Sequence, residues 1–159
     1  MLPSMPQHRT ISVIGAGRCD ERTAELAREV GRRLAEAGCT LVTGGLGGVM
    51  EAASRGAREA DGLVIGILPG ARRDDANPFV DVPVVTGMGE ARNAIVAATG
   101  QAVIAIAGEF GTLSEIAFAL KRGKPIVSVG SWQVDPKVVQ VESAEEAVEA
   151  VLQRVGEGT

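Results

Sequence analysis

The residues that could do chemistry cluster around one stretch, Ala102–Leu120 (AVIAIAGEFGTLSEIAFAL). An apolar run rich in Val and Ile reads as a strand buried on both faces. It turns through Gly108-Glu109-Phe110-Gly111 and enters a helix whose apolar positions Ile116, Ala119 and Leu120 lie three to four apart. A strand, a glycine turn and a helix start aim unpaired backbone N–H groups at one point, and the helix dipole adds partial positive charge there. Such a point suits an anion. The spacing places Glu115 in the first turn, within reach of whatever the amides hold. The expected chemistry is a phosphate pocket with one carboxylate at its edge.

Two other glycine turns follow strands. Gly15-Ala16-Gly17-Arg18 comes after Thr10–Ile14, and Gly44-Gly45-Leu46-Gly47-Gly48 comes after Thr40–Thr43. The first resembles part of a dinucleotide fingerprint, but its third glycine is missing. No acidic residue stands at the end of the second strand, so NAD binding is disfavoured. Four glycines in five residues cost backbone entropy that a simple turn would not require, whereas close approach to a phosphate or ribose would. No Gly-Lys-Ser/Thr follows, so this is not a Walker loop. Arg92 falls in the first turn of the next helix, where a guanidinium can bridge a phosphate bidentately; the plain alternative is an exposed arginine paired with Glu90. Thr112-x-x-Glu115 also reads as a capping box, which gives Glu115 a structural role beside any chemical one. Cys19, next to Arg18 and a helix start, reads as a small filler rather than an activated thiol.

The elements that hold these groups alternate along the chain. Strands are read at 10–14, 40–43, 63–68, 82–85, 102–107, 125–129 and 138–141. Asp20 caps a helix running to about Ala37, with Leu26, Val30 and Leu34 on its buried stripe and Gly38 ending it. Further helices carry Val49–Ala57, Glu90–Ala98, the segment from Thr112, and a last one opened by the capping box Ser143-x-x-Glu146. Residues 71–82, charged and broken by Asn77-Pro78, read as a loop over the pocket mouth. Continuous apolar strands alternating with helices imply an α/β, Rossmann-like, doubly wound domain over 10–159, preceded by a tail at 1–9. Right-handed crossovers put every strand-to-helix turn on one sheet edge. The three glycine turns then meet in one crevice.

Composition narrows the function further. A net charge of −4 over 159 residues gives no general attraction for nucleic acid or an anionic membrane. No apolar run reaches the roughly 18 residues of a membrane span, and the first residues lack a secretory apolar core. Cys19 and Cys39 form no metal-ligand spacing, and the single histidine, His8, stands in the tail. Histidine triads and a metal site are thus excluded, and a cytoplasmic compartment is expected.

With these residues assembled, the chain resembles the lonely-guy-like superfamily, long carried under a lysine decarboxylase label. The resemblance covers roughly residues 10–130, on Thr43-Gly-Gly-Leu-Gly-Gly-Val-Met50, Ala91-Arg-Asn93 and Gly108-Glu-Phe-Gly-Thr-Leu-Ser-Glu115. Ile67-Leu-Pro-Gly70, Ala76-Asn-Pro78 and Ala91-Arg-Asn93 are most similar to the branch containing the molybdenum cofactor carriers. It implies that Gly15, Gly17, Arg18, Gly44, Gly45, Gly47, Gly48, Met50, Arg92, Asn93, Gly108, Gly111 and Thr112 bind a phosphorylated ligand. In the phosphoribohydrolase branch an arginine and a glutamate cleave the N-glycosidic bond of a nucleoside 5′-monophosphate, and these fall on Arg92 and Glu115. That branch reads Pro-Gly-Gly where this chain has Ala107-Gly108-Glu109, and a lysine where it has Asn93. The expected function is therefore binding or carriage of a nucleotide or the molybdenum cofactor, with no cofactor required. Hydrolysis of a nucleoside monophosphate is the alternative. The resemblance also implies a homodimer or homotetramer, and the apolar faces of the helices near Glu90 and Thr112 suggest where copies would meet.

Overall fold

A computed structural model of the chain describes residues 8–157. Seven strands appear where the apolar runs place them: β1 Thr10–Gly15, β2 Thr40–Thr43, β3 Val64–Leu68, β4 Val82–Val85, β5 Ala102–Ile106, β6 Ile126–Val129 and β7 Val138–Val141. Five helices join or flank them: α1 Glu21–Glu36, α2 Val49–Glu59, α3 Arg92–Thr99, α4 Phe110–Lys121 and α5 Ala144–Glu157. All strands are parallel, in the order β4-β3-β2-β1-β5-β6-β7. This is the doubly wound α/β architecture expected of buried apolar strands.

Both sheet faces are covered, which is why the strands are apolar on both sides. On one face Ile11, Val13, Leu41 and Ile104 pack with Val30 and Leu34 of α1, Ala53 and Ala57 of α2, and Val148 and Val151 of α5. On the other, Ile14, Val42 and Val103 pack with Val96 and Ala97 of α3 and Ile116 and Ala119 of α4. The chain runs outward from β1 to β4, crosses back through α3, and resumes at β5. The strand order thus reverses between β1 and β5, where α/β sheets open a ligand crevice beyond the carboxyl ends of the strands. The register sets Gly15 opposite Ile106, so the first and third glycine turns leave the sheet side by side.

Helix starts depend on what each side chain can reach. Asp20 caps α1 as expected, its Oδ1 accepting the Thr23 N–H at 2.8 Å, and Gly38 leaves the helix with φ +81°. The helix carrying Glu115 starts earlier than the capping-box pattern implies. Its N-cap is Glu109, with no side-chain cap, so Thr112 is the third helical residue and Glu115 lies in the second turn. The box cannot form because the backbone is already helical at Thr112. The helix near Glu90 divides into a 3₁₀ turn, Gly89–Ala91, and α3, which begins at Arg92 itself.

The loop 71–82 also differs from expectation. It contains a 3₁₀ turn at Arg73–Asp75, and Asn77 folds against the second glycine turn. The Asn77 backbone N–H donates to Gly45 O at 2.9 Å, and its Nδ2 donates to Leu46 O at 2.9 Å. The loop braces that turn rather than covering the crevice. Just ahead of β1, the Arg9 carbonyl accepts the Thr40 N–H at 2.8 Å.

Two glycines inside helices let α1 and α2 touch backbone to backbone. A Cβ on Gly31 would stand 1.9 Å from Ala53 O, and one on Gly56 would stand 1.9 Å from Arg28 O. Alanine at 31 raises helix propensity by roughly 1 kcal/mol, but the helices must separate to admit it. Gly31→Ala is expected to destabilise the protein by about 2 kcal/mol or more, because overpacking against main chain cannot be relieved by a rotamer change. Urea denaturation checks this, and an unchanged or raised midpoint would contradict it.

Candidate functional site

At the carboxyl ends of β1, β2 and β5 lies a cavity of about 450 Å³, within the size range of small-ligand sites. Each glycine turn contributes to it: Gly15, Gly17 and Arg18 from the first, Gly44 from the second, Gly111 and Thr112 from the third. Met50, Arg92, Asn93, Glu109 and Glu115 complete the side-chain lining, with Ile14 and Ala16 between them. Gly45, Gly47, Gly48 and Gly108 do not line it.

The glycines fall into two groups. Gly45 and Gly48 have φ of +78° and +61°, and a Cβ on Gly48 would meet Ala16 O at 2.2 Å. The second turn is therefore packed into the first at Gly48, while a Cβ on Gly45 would meet Leu68 Cδ2 at 2.6 Å. Gly17 and Gly111 need glycine for neither reason: φ is not positive at either, a Cβ on Gly17 would meet nothing within 4 Å, and one on Gly111 only Asn93 Nδ2 at 3.9 Å. Bare backbone at these two positions leaves room beside the cavity that packing does not demand.

Arg92 reaches the cavity from the first turn of α3. It is only 9% exposed, and its guanidinium lies against Gly44, where a Cβ would come within 2.8 Å of Nη2. Nη1 donates to Asn93 Oδ1 and Nη2 to Gly44 O at 3.4 Å. Nε has no partner, the one such buried side-chain atom among the described residues. A buried guanidinium N–H without a partner costs about 1–3 kcal/mol. Asn93 Nδ2 donates to Ser114 Oγ at 3.2 Å, and Ser114 Oγ donates to Gly111 O at 2.6 Å. A hydrogen-bonded chain therefore links Gly44, Arg92, Asn93, Ser114 and Gly111, and holds the arginine between two of the turns. The paired surface arginine weighed as an alternative is not what the structure contains.

Glu115 lies inside the same cavity, 8% exposed. Burial pushes its carboxyl up to about 7, partly opposed by the positive charge of Arg92. Burial likewise draws the guanidinium of Arg92 down, and Glu115 offsets this. Glu115 therefore titrates near neutrality, where it can be a neutral donor or a charged acceptor. Cys19 is half-buried, and its thiol is raised, first by burial and then by Asp20, the opposite of the lowered value an activated thiolate needs. Among the described residues no three His, Cys, Asp or Glu side chains form a metal-binding group, and no helix is long and apolar enough to cross a membrane.

Sequence reasoning missed Ser114, which becomes visible only when α3 and α4 are brought together. It also missed Trp132, whose Nε1–H donates to Glu109 O at 3.0 Å across the loop after β6. The chain's lone tryptophan was the available signal.

The profile of the SLOG cluster4 family matches residues 8–156. The chain belongs to this family. Among solved structures, this SLOG cluster4 protein is similar to the molybdenum cofactor binding protein of Rippkaea orientalis, with a TM-score of 0.89 and 35% identity over 94% of this chain and 98% of that one. It is also similar to the molybdenum cofactor carrier protein of Chlamydomonas reinhardtii, with a TM-score of 0.86 and 34% identity over 94% and 99%. Among curated proteins, the cytokinin riboside 5′-monophosphate phosphoribohydrolase of Mycobacterium tuberculosis is 37% identical over 118 residues, 68% of this chain and 63% of that protein. The resemblance read from Thr43–Met50, Ala91–Asn93 and Gly108–Glu115 agrees with these relatives.

Proposed function

We propose that this SLOG cluster4 protein binds or carries a phosphorylated small ligand, a nucleotide or the molybdenum cofactor as cargo. The observation that carries the reading is Arg92, a buried guanidinium with an unpartnered Nε, placed where Gly17, Gly44 and Gly111 bring main chain to one cavity. A phosphate there would meet the Arg92 guanidinium and the amides of the first and third turns, a mixture of charge-assisted and backbone donors common to phosphate sites. The bare Gly17 and Gly111 leave room for it. Similarity to proteins named for binding and carrying the molybdenum cofactor supports the same reading.

One observation favours hydrolysis of a nucleoside 5′-monophosphate as a second reading. Glu115 titrates near 7 beside Arg92, as an acid or base acting at an N-glycosidic bond would, and a relative carries that activity in its name. Binding is preferred because Glu109 adds a carboxylate to the cavity wall. Asn93, where the hydrolase branch has lysine, also serves as a brace for Arg92 rather than as a second cation. Incubation with AMP separates the two readings. Calorimetry is expected to register AMP and ribose 5-phosphate binding while chromatography finds no free adenine. Stoichiometric release of adenine would make the protein an enzyme.

A further inference from the structure

The third glycine turn is held from outside the cavity. Ala107, just past the end of β5, has φ +50°, and Gly108 follows at +101°. Among the described residues the other non-glycine in this left-handed region is Asp61, which follows the C-cap of α2, where such a residue is ordinary. Ala107 leaves a strand instead. A side chain in that conformation is strained and persists only where the surroundings over-determine it. Here they are the loop after β6. Ser131 Oγ donates to Ala107 O at 2.5 Å, and Trp132 Nε1–H donates to Glu109 O at 3.0 Å. The Glu109 carbonyl also accepts the Leu113 N–H at 3.0 Å, so both its lone pairs are taken. The loop is itself anchored: the Ser131 N–H donates at 3.1 Å to Oγ of Ser128, a fully buried residue of β6, and the half-buried Trp132 packs against the core.

Strand β5 has β6 on one side and β1 on the other, and the cavity lies on the β1 side. In a trans peptide the N–H points opposite to its C=O. Holding the carbonyls of Ala107 and Glu109 toward the β6 loop therefore turns the N–H groups of Gly108 and Phe110 toward β1. The strand end shows the same alternation. The Ala107 N–H donates toward β6, to Val129 O at 3.3 Å, while Ile106 O stands against β1, 2.3 Å from where a Cβ on Gly15 would be. Among the described residues no N–H from Gly108 to Thr112 donates to a backbone acceptor. We propose that Ser131 and Trp132 are positioning residues for the phosphate site: from the far side of β5 they fix the third turn with its N–H groups set for the anion. The inference rests on the phosphorylated-ligand reading above and adds what holds that site's donors in place. Neither residue lines the cavity, so each acts through the turn, and donors fixed beforehand leave less ordering cost to be met on binding.

Ribose 5-phosphate is the probe, titrated by calorimetry. Ser131→Ala is expected to weaken its binding about fivefold, the fold-change equivalent of one hydrogen bond's ordinary contribution. Ser131→Thr keeps the hydroxyl and should bind within about twofold of the wild type. Trp132→Phe removes the indole N–H but leaves a ring against the core, and it should weaken binding by about the same fivefold factor. Trp132 is also the only tryptophan of the chain, and its indole shares the turn's peptide groups with the anion. Ribose 5-phosphate should therefore shift its emission in the wild type with the same midpoint as the heat signal, a coupling that a merely structural loop would not show. Thermal denaturation of each variant gives its folded fraction, so that affinity lost through the turn is separated from affinity lost through unfolding. Wild-type affinity in both Ser131→Ala and Trp132→Phe, with unmoved emission, would overturn the inference and leave the phosphate site standing. So would a loss in Ser131→Ala that Ser131→Thr does not rescue, or one that vanishes once only folded protein is counted. Failure of ribose 5-phosphate to bind the wild type would remove the phosphate reading, and this inference with it.

Discussion

Arg92→Ala is expected to weaken ribose 5-phosphate and AMP binding by about a hundredfold or more while lowering the melting temperature only slightly. The binding loss follows from the surroundings. A guanidinium that is 9% exposed interacts with an anion through a medium far less screening than water, and losing one partner of a buried charge-assisted contact costs about 2–5 kcal/mol. The stability loss is small because Arg92 contributes little net to the free protein. Its bonds reach Asn93 and a long 3.4 Å contact to Gly44 O, Nε is unpaired, and burying its charge already costs solvation. Arg92→Lys should recover only part of the affinity, since an ammonium keeps the charge but loses the planar fork. Calorimetry and thermal denaturation together check this. Unchanged phosphate affinity, or a collapse in stability with affinity lost only through unfolding, would show that Arg92 is a structural residue.

Glu115→Gln should make the protein more stable at pH 8 and leave it little changed near pH 4. The carboxyl of Glu115 rises from 4.5 to about 7 on folding, because burial opposes its charge more than Arg92 favours it. A raised acid contributes stability that is fully present below its unfolded value, near 4.5, and is lost as the pH climbs through about 7. Wild-type stability should therefore decline across that window, by up to about 3 kcal/mol if this group acted alone. Gln removes the titration, so the variant's advantage should grow through the same window and level off above it. Anion binding should follow the same course: above pH 7 the wild type sets a negative charge near the phosphate, and Glu115→Gln should bind ribose 5-phosphate more tightly there. On the hydrolase reading, turnover of AMP should instead fall about a hundredfold, the usual scale for a positioned acid or base. Denaturant titrations of both proteins from pH 4 to 8 test the linkage, and parallel curves would refute it.

Much of this protein was legible from its sequence because the relevant forces are local. Val- and Ile-rich runs made all seven strands visible; β2, β5 and β6 are apolar because they are buried on both faces, whereas the edge strand β4 keeps Val82, Val84 and Val85 exposed. Asp20 and Gly38 marked the ends of α1 through capping contacts made within a few residues. Strand–helix alternation and right-handed crossovers were enough to bring Gly15, Gly44 and Gly111 to one sheet edge, together with Arg92 and Glu115. Tertiary structure decided what each of these residues does there. Gly48 answers to the first turn packed against it, and Gly45 to its positive φ and to Leu68 beside it. Asn77 braces a turn some thirty residues before it. The proximity of α3 and α4 lets Asn93 and Ser114 hold Arg92 while leaving its Nε free. The helix start moved from Thr112 to Phe110, and Glu115 moved with it from a capping position into a desolvated wall. Periodicity and capping are properties of neighbours along the chain, whereas burial, titration and an unpaired donor depend on neighbours in space, and only the packed sheet and helices determine those.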